Sequence, residues 1–189
     1  MAPYSPDATQ LSDLPDSVLC ERASSGDVAA FQSLIRRYAP MMRAYAIRLT
    51  GSRSDADDVL QETFLQAWKK VDTVLEPAKV KSWLMTLTSN KSIDLIRSRK
   101  PTYDLDSARD SQSRGSSPED NAITSSQMGE LNKLLQKLPQ DQRQIWVMRE
   151  MGGSSYKEIA EALDVPEATV RGRLARARVT LTKGMEGWN

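Results

Sequence analysis

Apolar residues along this chain recur three and four positions apart, in blocks. No stretch alternates apolar with polar for long enough to make a useful strand. Ala30, Phe31, Leu34, Ile35 and Tyr38 share one helical face. Val59, Leu60, Phe64, Ala67 and Trp68 share a second, and Trp83, Leu84, Leu87, Ile93, Leu95 and Ile96 stud a third. Start and stop signals divide these blocks. Asp13 can cap a helix running to about Ser24, which Gly26 ends. Asp27 caps the next, Val28 to Tyr38. Pro40 opens another to about Thr50, stopped by Gly51. Ser54 or Asp55 caps one to about Lys70. A loop follows from Val71 to about Pro77, then a helix from near Ala78 to about Ser98. These elements predict an all-α core of roughly 85 residues, an ordinary domain size.

The pattern then breaks. PTYDLDSARDSQSRGSSPEDNAITSS is rich in Ser, Asp, Pro and Gly and poor in large apolar residues, which predicts a flexible linker. Beyond it, 128–151 reads as two helices parted near Leu138-Pro139, with Asp141 as cap of the second. The expected organisation is an N-terminal tail over 1–12, a helical domain over 13–100, a linker over 101–126 and a second helical domain over 127–185. The fold class is all-α, two domains on a tether.

The last quarter carries the strongest local signal. SYKEIAEALDVPEATVRGRLARARVTLTK is two short helices joined by a tight turn, a helix-turn-helix. Ser155 and Glu158 make a capping-box pair, Ile159, Ala160 and Leu163 an apolar stripe, and Pro166 suits the first position of the following helix. Val170, Leu174, Ala177 and Leu181 give that helix one buried face. Arg171, Arg173, Arg176 and Arg178 fall off it. Two readings of these arginines compete, a solvated face and a DNA-contacting one. The capped first helix, short turn and proline start favour DNA, since arginine fits guanine edges and phosphates.

Net charge is +1, too little for bulk attraction to nucleic acid. Its distribution changes the picture. Residues 166–183 carry five basic side chains and one acid, residues 91–100 four and one, and the linker two arginines against five acids. There is no histidine and one cysteine, Cys20, on an apolar stripe. Histidine-dependent triads, paired-histidine zinc motifs and intramolecular disulfides are thereby excluded. No phosphate-binding glycine loop occurs. Neither metal nor cofactor is expected, and no enzyme active site is nominated. The absence of a signal peptide or membrane-length apolar run predicts a cytoplasmic protein without membrane insertion.

Four segments, in order, resemble an extracytoplasmic-function (ECF) sigma factor of the bacterial sigma-70 family. ERASSGDVAAFQSLIRRY resembles the opening of its region 2 domain, DADDVLQETFLQAW its region 2.2, and KSWLMTLTSNKSIDLIRSRK its regions 2.3 and 2.4. LQKLPQDQRQIWVMREMGGSSYKEIAEALDVPEATVRGRLARAR resembles regions 4.1 and 4.2. The match covers roughly 11–185.

The resemblance implies a subunit of RNA polymerase and no catalyst of its own. It implies that region 2 reads and opens the −10 element, that region 4 reads the −35 element, and that an anti-sigma factor controls the protein. It assigns Asp58, Gln61, Glu62 and Phe64 to docking on the β′ clamp helices of core polymerase. Acids near a helix start also suit the helix dipole, and Phe64 and Trp68 also suit a core. For −10 DNA the candidates are Lys79, Lys81, Asn90, Lys91, Arg97, Arg99 and Lys100. The basic groups follow the backbone, and the Asn90 amide offers a donor and an acceptor to a base edge. By resemblance, the 71–80 loop and Asn90 sit where the family holds a flipped base. Trp83 reads as core or as DNA contact. For −35 DNA the candidates are Glu167, Thr169, Arg171, Arg173, Arg176 and Arg178. An independent operator-binding regulator is the runner-up; a helical adaptor and an enzyme stand further back.

Overall fold

The computed structural model describes residues 11–99 and 127–186. The expected linker, most of the expected tail, and Lys100 lie outside the described residues. Those described form helices joined by short turns, and no strand occurs among them.

Helix α1 spans Asp16–Ser24. Asp13 does not cap it. Pro15 occupies the N-cap with φ −58° and ψ 149°, and its ring disfavours helical geometry at Leu14, so the helix begins after the proline. Leu11, assigned above to the tail, is buried.

Helix α2 is one element, Val28–Thr50, with Pro40 inside it. The sequence reading split it at that proline. Interior proline costs about 3 kcal/mol. The stripe continues across it, burying Ala30, Phe31, Leu34, Met42, Tyr45, Ala46 and Leu49, and at roughly 1.5–3 kcal/mol for each large side chain that burial outweighs the break. Asp27 caps the helix, accepting from the Ala30 N–H, and Gly51 ends it at φ 78°, a left-handed conformation glycine adopts freely.

Helix α3 runs Arg53–Lys70, capped by Ser52, whose side chain accepts from the Asp55 N–H, and not by Ser54 or Asp55. The loop after it is partly ordered into two 3-10 turns, Val71–Thr73 and Pro77–Lys79. The Ser24 hydroxyl donates to the Val71 carbonyl at 3.0 Å and ties this loop to α1. Helix α4 spans Val80–Arg99. Its buried face includes Thr88, Ser89 and Ser92. Thr88 and Ser92 donate to the carbonyls of Leu84 and Thr88, each at 2.8 Å, so their hydroxyls are satisfied without water. Helix α2 packs against α1, α3 and α4, and α3 packs on α4.

The second unit comprises α5 (Gln127–Lys137), α6 (Gln140–Glu150), α7 (Tyr156–Leu163) and α8 (Glu167–Met185). Pro139 takes the N-cap of α6, and Asp141 sits inside its first turn. The Ser155–Glu158 capping box is complete: the Ser155 hydroxyl accepts from Glu158 N–H and the Glu158 carboxylate accepts from Ser155 N–H. Asp164 at φ 51° closes α7, and Pro166 is the N-cap of α8 and not its first residue. The four apolar positions expected of α8, Val170, Leu174, Ala177 and Leu181, are all buried. Cys20 is buried as a core side chain.

The two units touch. Helix α2 packs on α5 and α6, and α4 on α6. A continuous apolar cluster runs from Leu34, Tyr45 and Leu84 of the first unit to Ile145, Met148 and Ile159 of the second.

Candidate nucleic-acid and partner interfaces

Helix α8 can present its arginines because its opposite face is buried. They do not form one uniform surface. Arg171 has 64% of its side chain exposed, is held by Glu167 at 3.0 Å one turn earlier, and lies with its guanidinium 5.2 Å from the centre of the Tyr156 ring. Arg149 approaches the same ring at 5.0 Å. Arg176 is exposed and has no ion pair among the described residues. Arg173 instead binds Asp141 on α6 at 2.9 Å, and Arg178 binds Glu150 at the end of α6 at 2.5 Å. These two brace α8 against α6, while Arg171 and Arg176 stand clear. Glu167 and Thr169 are half-buried beside them.

On the first unit, Asn90, Arg97 and Arg99 are exposed along α4, and Lys81 and Lys91 are half-buried. Lys79, exposed on the preceding turn, pairs with Glu76 at 2.9 Å. Arg99 pairs with Asp55, and Lys91 with Glu62 at 3.3 Å. Asp94 and Arg97, three residues apart and both exposed on α4, form no ion pair with each other among the described residues. Trp83 is half-buried and packs on the core. Leu75 is 96% exposed at the tip of the 71–80 loop, an apolar side chain that the sequence reading passed over.

Helix α3 carries the docking candidates. Asp58, Gln61 and Glu62 are exposed on one side, whereas Phe64 is half-buried against the core. Trp68 packs on Phe31 with the rings tilted by 57° and their centres 5.1 Å apart, and keeps part of its surface in solvent. Leu65, 65% exposed, extends the same face at i+3, i+4 and i+7 from Glu62, Gln61 and Asp58. Sequence reasoning missed it, although a signal existed: Leu65 falls off the stripe formed by Val59, Leu60, Thr63 and Ala67. The Arg43 guanidinium bonded to Asp57 holds that carboxyl below its ordinary pKa, so it stays charged beside the stripe. Because Lys91 binds Glu62, the docking face and the −10 candidates adjoin across α3 and α4.

Among the described residues no three histidine, cysteine, aspartate or glutamate side chains gather into a metal-holding group. No helix among them is long and apolar enough to cross a membrane.

The described residues thus form two helical units, one ending in a helix-turn-helix and the other carrying a basic helix beside an acidic and apolar stripe. The sigma-70 region 2 profile matches residues 34–102, and the sigma-70 region 4 profile residues 128–181. The ECF RNA polymerase sigma-E factor of Escherichia coli K12 is 33% identical over 175 residues, covering 87% of this chain and 91% of that one. The sigma-E factor of Haemophilus influenzae is 30% identical over 175 residues, covering 87% and 92%. Among solved structures, CnrH in complex with the cytosolic domain of CnrY matches with TM-score 0.69 at 26% identity, covering 96% of this chain and 99% of that one. The sigma factor RpoE bound to the anti-sigma factor NepR, from Bartonella quintana, matches with TM-score 0.65 at 25% identity, over 84% and 98%. The chain belongs to the ECF sigma factors of the sigma-70 family. It directs RNA polymerase to promoters through the −10 and −35 elements, supports promoter melting and initiation, and is not itself an enzyme.

Proposed function

We propose that each surface described above carries one part of that activity. The α8 face reads −35 DNA, with Arg171 on a base edge or its phosphate and Arg176 on a phosphate. Glu167 and Thr169 line the start of the helix, where side chains reach base edges. Arg173 and Arg178, held by α6 acids in the free chain, reach phosphates only by exchanging those partners. The 71–80 loop and α4 hold opened −10 DNA: Lys79, Lys81, Lys91, Arg97, Arg99 and Lys100 follow the backbone, and Asn90 reads a displaced base. The α3 stripe of Asp58, Gln61, Glu62 and Leu65 docks on the β′ clamp helices, with Phe64 shaping the stripe from beneath. The chain acts in the cytoplasm, where its polymerase and DNA are. The relatives solved with CnrY and NepR support control of this chain by an anti-sigma factor as well.

The observation that carries this reading is the exposed leucine in line with three polar docking candidates on a helix whose opposite face is buried. A lone exposed leucine is ordinary on a solvated surface, but one aligned with three polar docking candidates suits a partner surface with an apolar centre and a polar rim. The test mixes purified chain with core polymerase and a two-element promoter. A transcript that depends on both elements and is lost with Leu65→Asp supports the assignment. A chain that shifts promoter DNA alone but starts no transcript with core polymerase is an independent regulator.

A further inference from the structure

Glycine inside a helix weakens it, because its backbone gives up more freedom on folding than that of alanine. A glycine held there has a reason in the fold or outside it. The fold supplies reasons elsewhere in this chain. Gly51 takes φ 78°, and a Cβ at Gly184 would stand 2.6 Å from the Leu134 side chain. Gly172, in the second turn of α8, has neither reason. Its φ is not positive. Within 4 Å, a Cβ built on it would meet only the Arg176 Nη1 atom, at 3.7 Å, an ordinary van der Waals contact. Alanine would fit and would hold the helix better.

The surroundings of Gly172 say where its reason lies. At about 100° per residue, Ala168, Gly172 and Ala175 fall in one line along α8. That line is nearly opposite the buried one of Val170, Leu174, Ala177 and Leu181. Ala168 and Ala175 are exposed, and Gly172 is half-buried between them. Arg171 and Arg176 stand about 70° to either side of the line. The outermost strip of the helix therefore has no hydrogen-bonding side chain, and its free arginines flank it. Exposed alanines alone are ordinary. A glycine between them that the fold does not use lets something outside come against the backbone.

Promoter recognition supplies that partner. Ala168 to Ala175 span about 10 Å at about 1.5 Å per residue, and the major groove of B-DNA is about 12 Å wide. In that groove thymine alone among the four bases presents a methyl group, on C5, and an alanine methyl is a matching apolar contact. A larger side chain at 172 would hold the helix off the base edges.

We propose that Gly172 and Ala175 determine which −35 sequences the chain accepts. Gly172 lets the α8 backbone settle against the base edges, and Ala175, with Ala168, packs there on thymine methyl groups, while Arg171 and Arg176 grip to either side. This rests on α8 being the −35 reader, and the test separates the two.

Core polymerase carrying the chain selects upstream sequences from a pool of random duplexes. The selected duplexes are bound again with single thymines replaced by deoxyuridine, which removes the methyl group and keeps the base pair. At one or two thymines the replacement should weaken binding about four-fold, the loss of one buried methyl. Ala175→Ser should weaken binding to the thymine duplex, and the loss should shrink on the deoxyuridine duplex. Gly172→Ala should raise the folding equilibrium constant about two- to five-fold, read from urea midpoints; a destabilised variant would show that the fold needs this glycine and overturn the inference. Gly172→Leu should reduce binding to that of unselected duplexes. Because Arg176 lies over Gly172, Gly172→Leu is repeated with Arg176→Ala. A further loss in that background belongs to the approach of the backbone, and no further loss overturns it. If no thymine is sensitive, or Gly172→Leu binds as the wild type does, the inference falls while the −35 assignment stands. If Arg171→Ala and Arg176→Ala bind the selected duplexes as the wild type does, α8 is not the reader and both fall.

Discussion

Arg171→Ala is the sharpest test of the −35 surface. The guanidinium is exposed yet prearranged: Glu167 holds it at 3.0 Å from one turn back, and the Tyr156 ring lies 5.2 Å from it. An arginine reading a base edge contributes about 1–3 kcal/mol, and a phosphate contact weakens binding with a smaller dependence on sequence. Arg171→Ala should therefore weaken binding to a −35 duplex about 5- to 150-fold. The ring adds a smaller amount, because an exposed cation–π contact is worth about 0.5–1 kcal/mol. Tyr156→Leu should then cost about two- to five-fold through loss of prearrangement. The assay is titration of the purified chain with short −35 duplexes at several salt concentrations, using the wild type, both single variants and the double variant. If Tyr156 acts through Arg171, its effect disappears in the Arg171→Ala background. The salt slope separates roles, since losing one phosphate contact lowers it by about 0.9. Binding within two-fold of wild type after Arg171→Ala would refute the assignment. A Tyr156→Leu loss that persists undiminished in the double variant would refute the prearrangement.

Leu65→Ala should weaken binding to core polymerase by about 1–2 kcal/mol, the burial of a mostly exposed leucine, as read by competition for core enzyme; equal competition removes Leu65 from the docking face. Ser155→Ala removes the acceptor for the Glu158 N–H and should cost about 1 kcal/mol. Calorimetry should read this as a Tm drop of about 2–4 °C if both units melt together, and about 4–8 °C if the second melts alone. Asp27, Asp57 and Glu158 are held below their ordinary carboxyl pKa values, chiefly by the Ala30 N–H, the Arg43 guanidinium and the Ser155 N–H respectively. Groups with depressed folded pKa values stabilise the chain above the unfolded value, so stability should be full near neutrality and fall as pH drops below about 4. Urea midpoints across pH check this, and stability that rises on acidification contradicts it. Removing most of 101–126 should abolish initiation while both units stay folded; full activity on a two-element promoter would defeat the tether.

The parts of this fold that show in the sequence are those where one rule acts without a competitor. The capping box at Ser155 and Glu158, the stripe of Val170, Leu174, Ala177 and Leu181, and the Gly51 stop each follow from local chemistry. Errors arose where two rules met. Pro40 is a good helix start and a poor helix interior, yet the apolar face running from Leu34 to Leu49 carried α2 through it. Asp13 is a good cap, but Pro15 sets the start of α1 two residues on. Among site residues, the arginines of α8 were visible as a set. Their division into two that brace α6 and two that do not was hidden, because Asp141 and Glu150 lie a helix away. Leu65 was passed over, although its position faces away from the α3 core.

The contact between the two units was the least legible feature. A pattern reader sorts apolar residues inward and polar residues outward, and the buried Ser89, Gln144, Arg48 and Arg143 all sort outward. Their burial becomes visible only when both units are present, since each side satisfies or frustrates the other.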